Sequence, residues 1–246
     1  MKQLKFKVIF LNFMLLLLFY GGAKGSPVCQ SISKDKAEII AKYNTDIIVA
    51  GRGIVAEHQD LINDPSKADK GFTPQYVERL IRERFKEMNG KDISELDPEI
   101  RGILEEVINA AKLAVKKYQK RINQPGIGFK GFIPAVFGRE TGQILKAFCN
   151  ISIKQTTFKY RNSYNKPDEF EKEILRIFKK PDYPKGEGYG KMVGNKYRYL
   201  RPIYIKKACL KCHGEPKGAK DIAGRIKEGY KVGDVRGAIS IMFPVN

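Results

Sequence analysis

Cys209, Cys212 and His213 fall within the run Ala208-Cys209-Leu210-Lys211-Cys212-His213-Gly214 near the C-terminus. Two thiols separated by two residues can add across both vinyl groups of a haem, and the adjoining imidazole can then hold the iron from one face. The same cysteine pair also suits half of a zinc site or a redox dithiol. A four-ligand zinc site needs further donors, and besides carboxylates the chain offers only the isolated residues Cys29, Cys149 and His58. A redox dithiol has no use for the histidine, and it normally opens a helix after a strand in a thioredoxin-like pattern that is not visible here. Covalent haem c is therefore the expected cofactor, one per chain because the motif occurs once, which excludes a multihaem reductase.

That chemistry requires a compartment. Residues 1–25 combine Lys2, Lys5 and Lys7 with an apolar stretch from Val8 to Tyr20 and small residues ahead of a cleavage point after Ala23-Lys24-Gly25. This is the composition of a secretory signal, which predicts a periplasmic or otherwise exported protein. The apolar run is interrupted by Asn12 and is short for a membrane span; an uncleaved anchor is the alternative. Ser26-Pro27-Val28 before Cys29 lacks the residues of a lipoprotein site. Export also permits a disulfide between Cys29 and Cys149.

The elements that must position the motif divide into two parts. Ser33 to Asn63 reads as a long helix capped by Ser33, with Gly51 and Gly53 marking a close contact or a break. Thr73-Pro74 and Asp97-Pro98 open two more helices, closed by Asn89-Gly90 and Gln124-Pro125-Gly126. Beyond that point glycine, proline and aromatics become frequent. Strands are predicted at 151–158, 197–205 and 237–243, with a helix over 167–180 between the first two. The expected class is α+β: a signal at 1–25, then a single domain at 26–246 whose 26–124 part is mainly helical and whose 125–246 part binds haem.

Several stretches resemble a bacterial family of exported c-type haem domains. These are Lys130-Gly131-Phe132-Ile133-Pro134-Ala135 with Gly138-Arg139, Lys154 to Thr157, Tyr160-Arg161-Asn162, Asn165 to Glu171, Cys209 to Gly214 and Gly233 to Ser240. The resemblance implies a PAS-like antiparallel sheet with an N-terminal helical layer. It also implies membership of a group found both as free periplasmic proteins and as sensor domains of membrane signalling proteins. The family's association with histidine and cysteine axial ligation turns attention to Cys149 as a second iron ligand beside His213. His58, Met192, Met242 and an open position are the alternatives. Arg161 and Arg236, both in family-like stretches, are candidates to pair with haem propionates. Tyr160, Tyr197 and Tyr199 are candidate pocket residues.

The chain carries 46 Lys and Arg against 27 Asp and Glu, a formal charge of +19. The lysines are dispersed, and no nucleic-acid motif accompanies them. Such a surface suits an acidic redox partner or is simply solvated. No acid–base pair points to an enzymatic reaction beyond the haem. The expected function is a redox or small-ligand sensor that acts through a redox or signalling partner, with a possible small gas as ligand; an electron carrier docking on acidic partners is the alternative. No integral membrane span is expected after signal cleavage.

Overall fold

In the computed structural model, which describes residues 26–29 and 32–246, the chain enters its first long helix later than its sequence suggests. The signal expected over 1–25 lies outside the described residues. Ser33 does not cap: its amide and hydroxyl donate to the Glu99 carboxylate at 2.9 and 2.7 Å. A short 3₁₀ turn follows before α1 (Ala37–Glu57). The helix runs unbroken through Gly51, where the ring of Phe137 is packed so closely that a Cβ would come within 2.3 Å of it. The packing gained offsets a helix-propensity cost of roughly 1 kcal/mol. At His58 the helix turns into the short α2 (Gln59–Ile62).

The next two helices follow their capping signals. α3 (Pro74–Asn89) begins with the Tyr76 amide donating to the Thr73 hydroxyl at 3.1 Å, and ends at Gly90 in the left-handed region. α4 (Pro98–Ile122) begins on the Asp97 carboxylate, which accepts from the Glu99 amide at 2.9 Å. α5 (Pro134–Cys149) was not expected, although proline at its first position and buried Phe137, Thr141, Leu145 and Cys149 at four-residue steps mark it in retrospect. Among the described residues no helix is long and apolar enough to cross a membrane.

Four antiparallel strands follow: β1 (Ser152–Thr156), then α6 (Glu169–Ile177), β2 (Tyr189–Val193) and β3 (Lys196–Tyr204). After β3 comes the four-residue α7 (Leu210–His213), and β4 (Val235–Pro244) closes the chain. The sheet order is β1-β4-β3-β2. The mixed helical and antiparallel architecture is α+β, as expected. β2 lay hidden in a glycine-rich stretch: Gly190 stands where a Cβ would meet the Tyr197 hydroxyl at 2.4 Å.

Alternation along the strands gives the sheet two apolar faces. Ile153, Tyr197, Tyr199, Ile239, Ile241 and Phe243 join the main core with residues of α1, α3, α4 and α5. Leu200 and Ala238 turn the other way, onto Ile174, Leu175 and Phe178 at α6. Arg201 reaches back from β3 to Asp46 on α1, and Arg198 reaches Asp168 before α6 at 2.6 Å, so each face also carries an ion pair.

Register fixes where the motif lies. β3 ends at Tyr204, paired with Val235 at the start of β4, while Thr156 at the end of β1 pairs with Ala238. The Cys-x-x-Cys-His run thus emerges at the edge of the sheet where β1 and β3 end.

Candidate functional site

A 3₁₀ turn at Lys207–Cys209 and α7 hold the motif in a single tight coil. Cys209 and Cys212 are both free thiols and half-buried. Burial pushes the Cys212 thiol above its ordinary range, so it remains protonated at neutral pH. Nδ1 of His213 lies 2.8 Å from Oε2 of Glu228. With the proton on Nδ1 and donated to that carboxylate, Nε2 carries the free lone pair needed for a metal. Burial, aided by the Arg236 charge, pulls the imidazole below its usual range, which keeps it neutral at neutral pH and ready to ligate.

Glu228 belongs to the loop between α7 and β4, and one arginine ties this loop to the motif. Nε and Nη2 of Arg161 donate to the two carboxylate oxygens of Glu228 at 2.7 and 2.8 Å. Nη1 donates to Asp221 at 2.7 Å, and Nη2 also reaches the carbonyls of Cys212 and Ile226. The Tyr230 amide donates to the His213 carbonyl at 2.9 Å, closing the loop against the motif from the other side. Burial alone would raise the pKa of Glu228, but the hydrogen bonds from Arg161 and His213 win and hold it below the usual carboxylate range. The result is a preoriented imidazole with a charged carboxylate behind it.

The sequence profile of one family, Tll0287-like, matches residues 30–244. The chain belongs to the Tll0287-like family. Among solved structures it is similar to the cyanobacterial haem-protein Tll0287, at 20% identity and a TM-score of 0.42, over 61% of this chain and 97% of that one. No protein of curated function matches.

Within this Tll0287-like chain, the expected iron ligands scatter. Cys149 requires correction: its sulfur is bonded to that of Cys29, so it has no thiolate to offer. It also precedes β1, whose far end approaches the motif, a distance of roughly 20 Å at a strand's rise per residue. Met242 pairs with Ser152 at that same remote end, and Met192 with Tyr197 at the start of β3. Both ring nitrogens of His58 are engaged, Nδ1 with the Ile54 carbonyl at 2.8 Å and Nε2 with the Tyr76 hydroxyl at 2.9 Å. Its neighbours Phe72 and Tyr76 pack around the ring, so His58 is a structural pin between α1 and α3.

The arginines also take other parts than expected. Arg161 commits its donors to Glu228, Asp221 and two carbonyls, so it braces the loop instead of facing a propionate. Arg236 donates to the Thr157 hydroxyl at 2.9 Å and the Lys159 carbonyl at 3.3 Å, and stands 3.5 Å from Glu228. Tyr197 and Tyr199 are core residues. Tyr160 is exposed and lines a cleft of about 560 Å³ with Lys159, Arg161, Arg225 and Ile226. Sequence reasoning missed Glu228 and Asp221. Neither sits in a recognisable motif, and only folding brings them to Arg161 across more than 50 residues.

Among the described residues, no three His, Cys, Asp or Glu side chains gather into a metal-binding group. Two free thiols just ahead of a neutral, oriented imidazole do suit a covalently attached haem.

Proposed function

We propose that this chain is an exported protein carrying one haem c, attached through Cys209 and Cys212 and ligated by Nε2 of His213. The observation that carries this reading is the carboxylate-anchored imidazole immediately beside two free thiols. Membership of the Tll0287-like family, whose namesake is a cyanobacterial haem-protein, supports it. Each thiol adds its sulfur and hydrogen across one vinyl double bond, a step with no net oxidation. The haem, once bound, would supply a one-electron couple and an iron able to take a small ligand.

The protein's residues then tune that group. Glu228 fixes the tautomer of His213 and increases its donor strength, which favours the ferric state. Arg161 holds Glu228 in place and keeps it charged. Since Cys149, His58, Met192 and Met242 are all occupied or remote, a haem held by Cys209, Cys212 and His213 would be open to an exchangeable ligand, within a PAS-like pocket. That assignment makes the protein a small-ligand or redox sensor whose output passes through a partner protein. Optical spectra of the reduced, haem-loaded protein with and without carbon monoxide test this: a shift on adding the gas is expected. A spectrum unmoved by the gas, with six-coordinate iron in both oxidation states, would refute gas sensing.

One observation favours the electron-carrier reading. Ile222, Ile226 and Val232 are 67%, 55% and 61% exposed on the same loop that holds Glu228. Lys217, Lys220, Arg225, Lys227 and Lys231 are interleaved with them. Apolar contact points set among basic residues beside the haem ligand are what an acidic redox partner would dock on. In that case electron-exchange rates with an acidic carrier fall steeply as salt rises.

A further inference from the structure

Arg52 of α1 lies against Gly138 and Gln155, at the end of the sheet that carries the motif. Its Nη1 donates to the Pro134 carbonyl at 3.2 Å. Its remaining electrostatic neighbours are the sulfur of Cys209 and the guanidinium of Arg236. Among the described residues, no carboxylate forms an ion pair with it. Four other arginines at this sheet and its loops do pair with acids: Arg161 with Glu228 and Asp221, Arg198 with Asp168, Arg201 with Asp46, and Arg236 with Glu228 at 3.5 Å. Burial, aided by the Arg236 charge and opposed by the Cys209 sulfur, pulls Arg52 down to about 10, so it remains charged at neutral pH.

Its neighbour on α5 is Gly138. A Cβ at Gly138 would stand 3.5 Å from the Arg52 Cδ, 3.6 Å from its Nη1 and 3.5 Å from the Gln155 amide nitrogen. Guanidinium and amide therefore converge where the glycine contributes no side chain. The Gln155 amide donates one hydrogen to the Ala135 carbonyl at 2.9 Å, leaving its second for a ligand.

We propose that Arg52, assisted by Gln155, is an anion-binding group at the motif end of the sheet that takes the oxygens of a carboxylate or small oxyanion. The reading rests on the haem assignment, and it offers two sources for that chemistry: a haem propionate, or an external oxyanion bound at the iron. A guanidinium suits either, since it presents parallel donors to a planar pair of oxygens.

The test uses the exported, haem-loaded full chain with Arg52→Gln and Arg52→Lys, titrating the ferric protein with nitrite and with imidazole as a neutral control. The midpoint potential is measured in parallel. If the anion is external, Arg52→Gln weakens nitrite by about tenfold or more while imidazole affinity is unchanged. If it is a propionate, Arg52→Gln lowers the midpoint potential, Arg52→Lys largely restores it, and nitrite affinity stays as it was. A loaded, folded Arg52→Gln protein that matches the wild type in both readouts overturns the proposal and leaves the haem reading intact. Absence of haem from the wild-type chain overturns both. Should Arg52→Gln fail to fold, Arg52→Lys carries the same measurements, with a smaller loss expected because charge is kept and the fork is not.

Discussion

Replacing Arg161 with alanine is expected to destabilise the protein by about 3–5 kcal/mol and to reduce the yield of haem-loaded chain. The side chains of Asp221 and Glu228 are only 2% and 12% exposed, and Arg161 is the cation nearest to both. Without it, Asp221 keeps only the amides of Ala223 and Arg225, Glu228 keeps only His213 and the more distant Arg236, and the carbonyls of Cys212 and Ile226 lose a donor as well. The loop spanning 215–232 should then open first, visible as early cleavage in limited proteolysis. Arg161→Lys should fall between, because a lysine keeps charge but cannot span Glu228 and Asp221 together. Denaturant titration across pH adds a sign. Both carboxylates are held below their ordinary pKa, so their stabilising contribution is full above the unfolded value, near 4, and is lost as pH falls through the lower folded value. The gap between wild type and Arg161→Ala should therefore be widest at neutral pH and close in acid. A gap that persists unchanged at pH 3 would show that the arginine acts through packing alone.

The second large effect concerns Cys29 and Cys149. Their disulfide closes a separation of 120 residues, tying the start of the described chain to the end of α5. Restricting so long a loop in the unfolded chain is worth roughly 3–5 kcal/mol on the chain-entropy account. The double variant Cys29→Ser/Cys149→Ser is expected to lose that amount in denaturant titration, and to keep the visible spectrum and midpoint potential of the haem-loaded wild type. The spectroscopic half is the sharper one. A thiolate ligand lost from the iron would change the low-spin spectrum and raise the potential, so either change would return Cys149 to the haem.

Legibility in the sequence followed the reach of each signal. Local signals were read well: Thr73-Pro74, Asp97-Pro98 and Asn89-Gly90 bound their helices where local capping chemistry says they should. Ser33 failed because a residue far away in sequence, Glu99, offered its hydroxyl a better partner than its own helix. α5 was missed because Gly138 and Gly142 dilute the apolar stripe, and β2 because glycine there serves the tyrosines of β3. In the site, Cys209, Cys212 and His213 are adjacent and needed no fold to be recognised. Glu228 and Asp221 are meaningful only through Arg161, more than 50 residues earlier. Cys149 and the methionines were plausible ligands as residue types, and the register of the sheet placed them at its other end.

The most direct measurement is the visible spectrum of the full chain, exported in a host that attaches haem c and then denatured with its haem retained. The account requires one haem per chain that stays with the polypeptide under denaturing conditions, and that is lost when both Cys209 and Cys212 are replaced by alanine. A chain recovered without covalent haem, or one whose haem survives that double replacement, would contradict it.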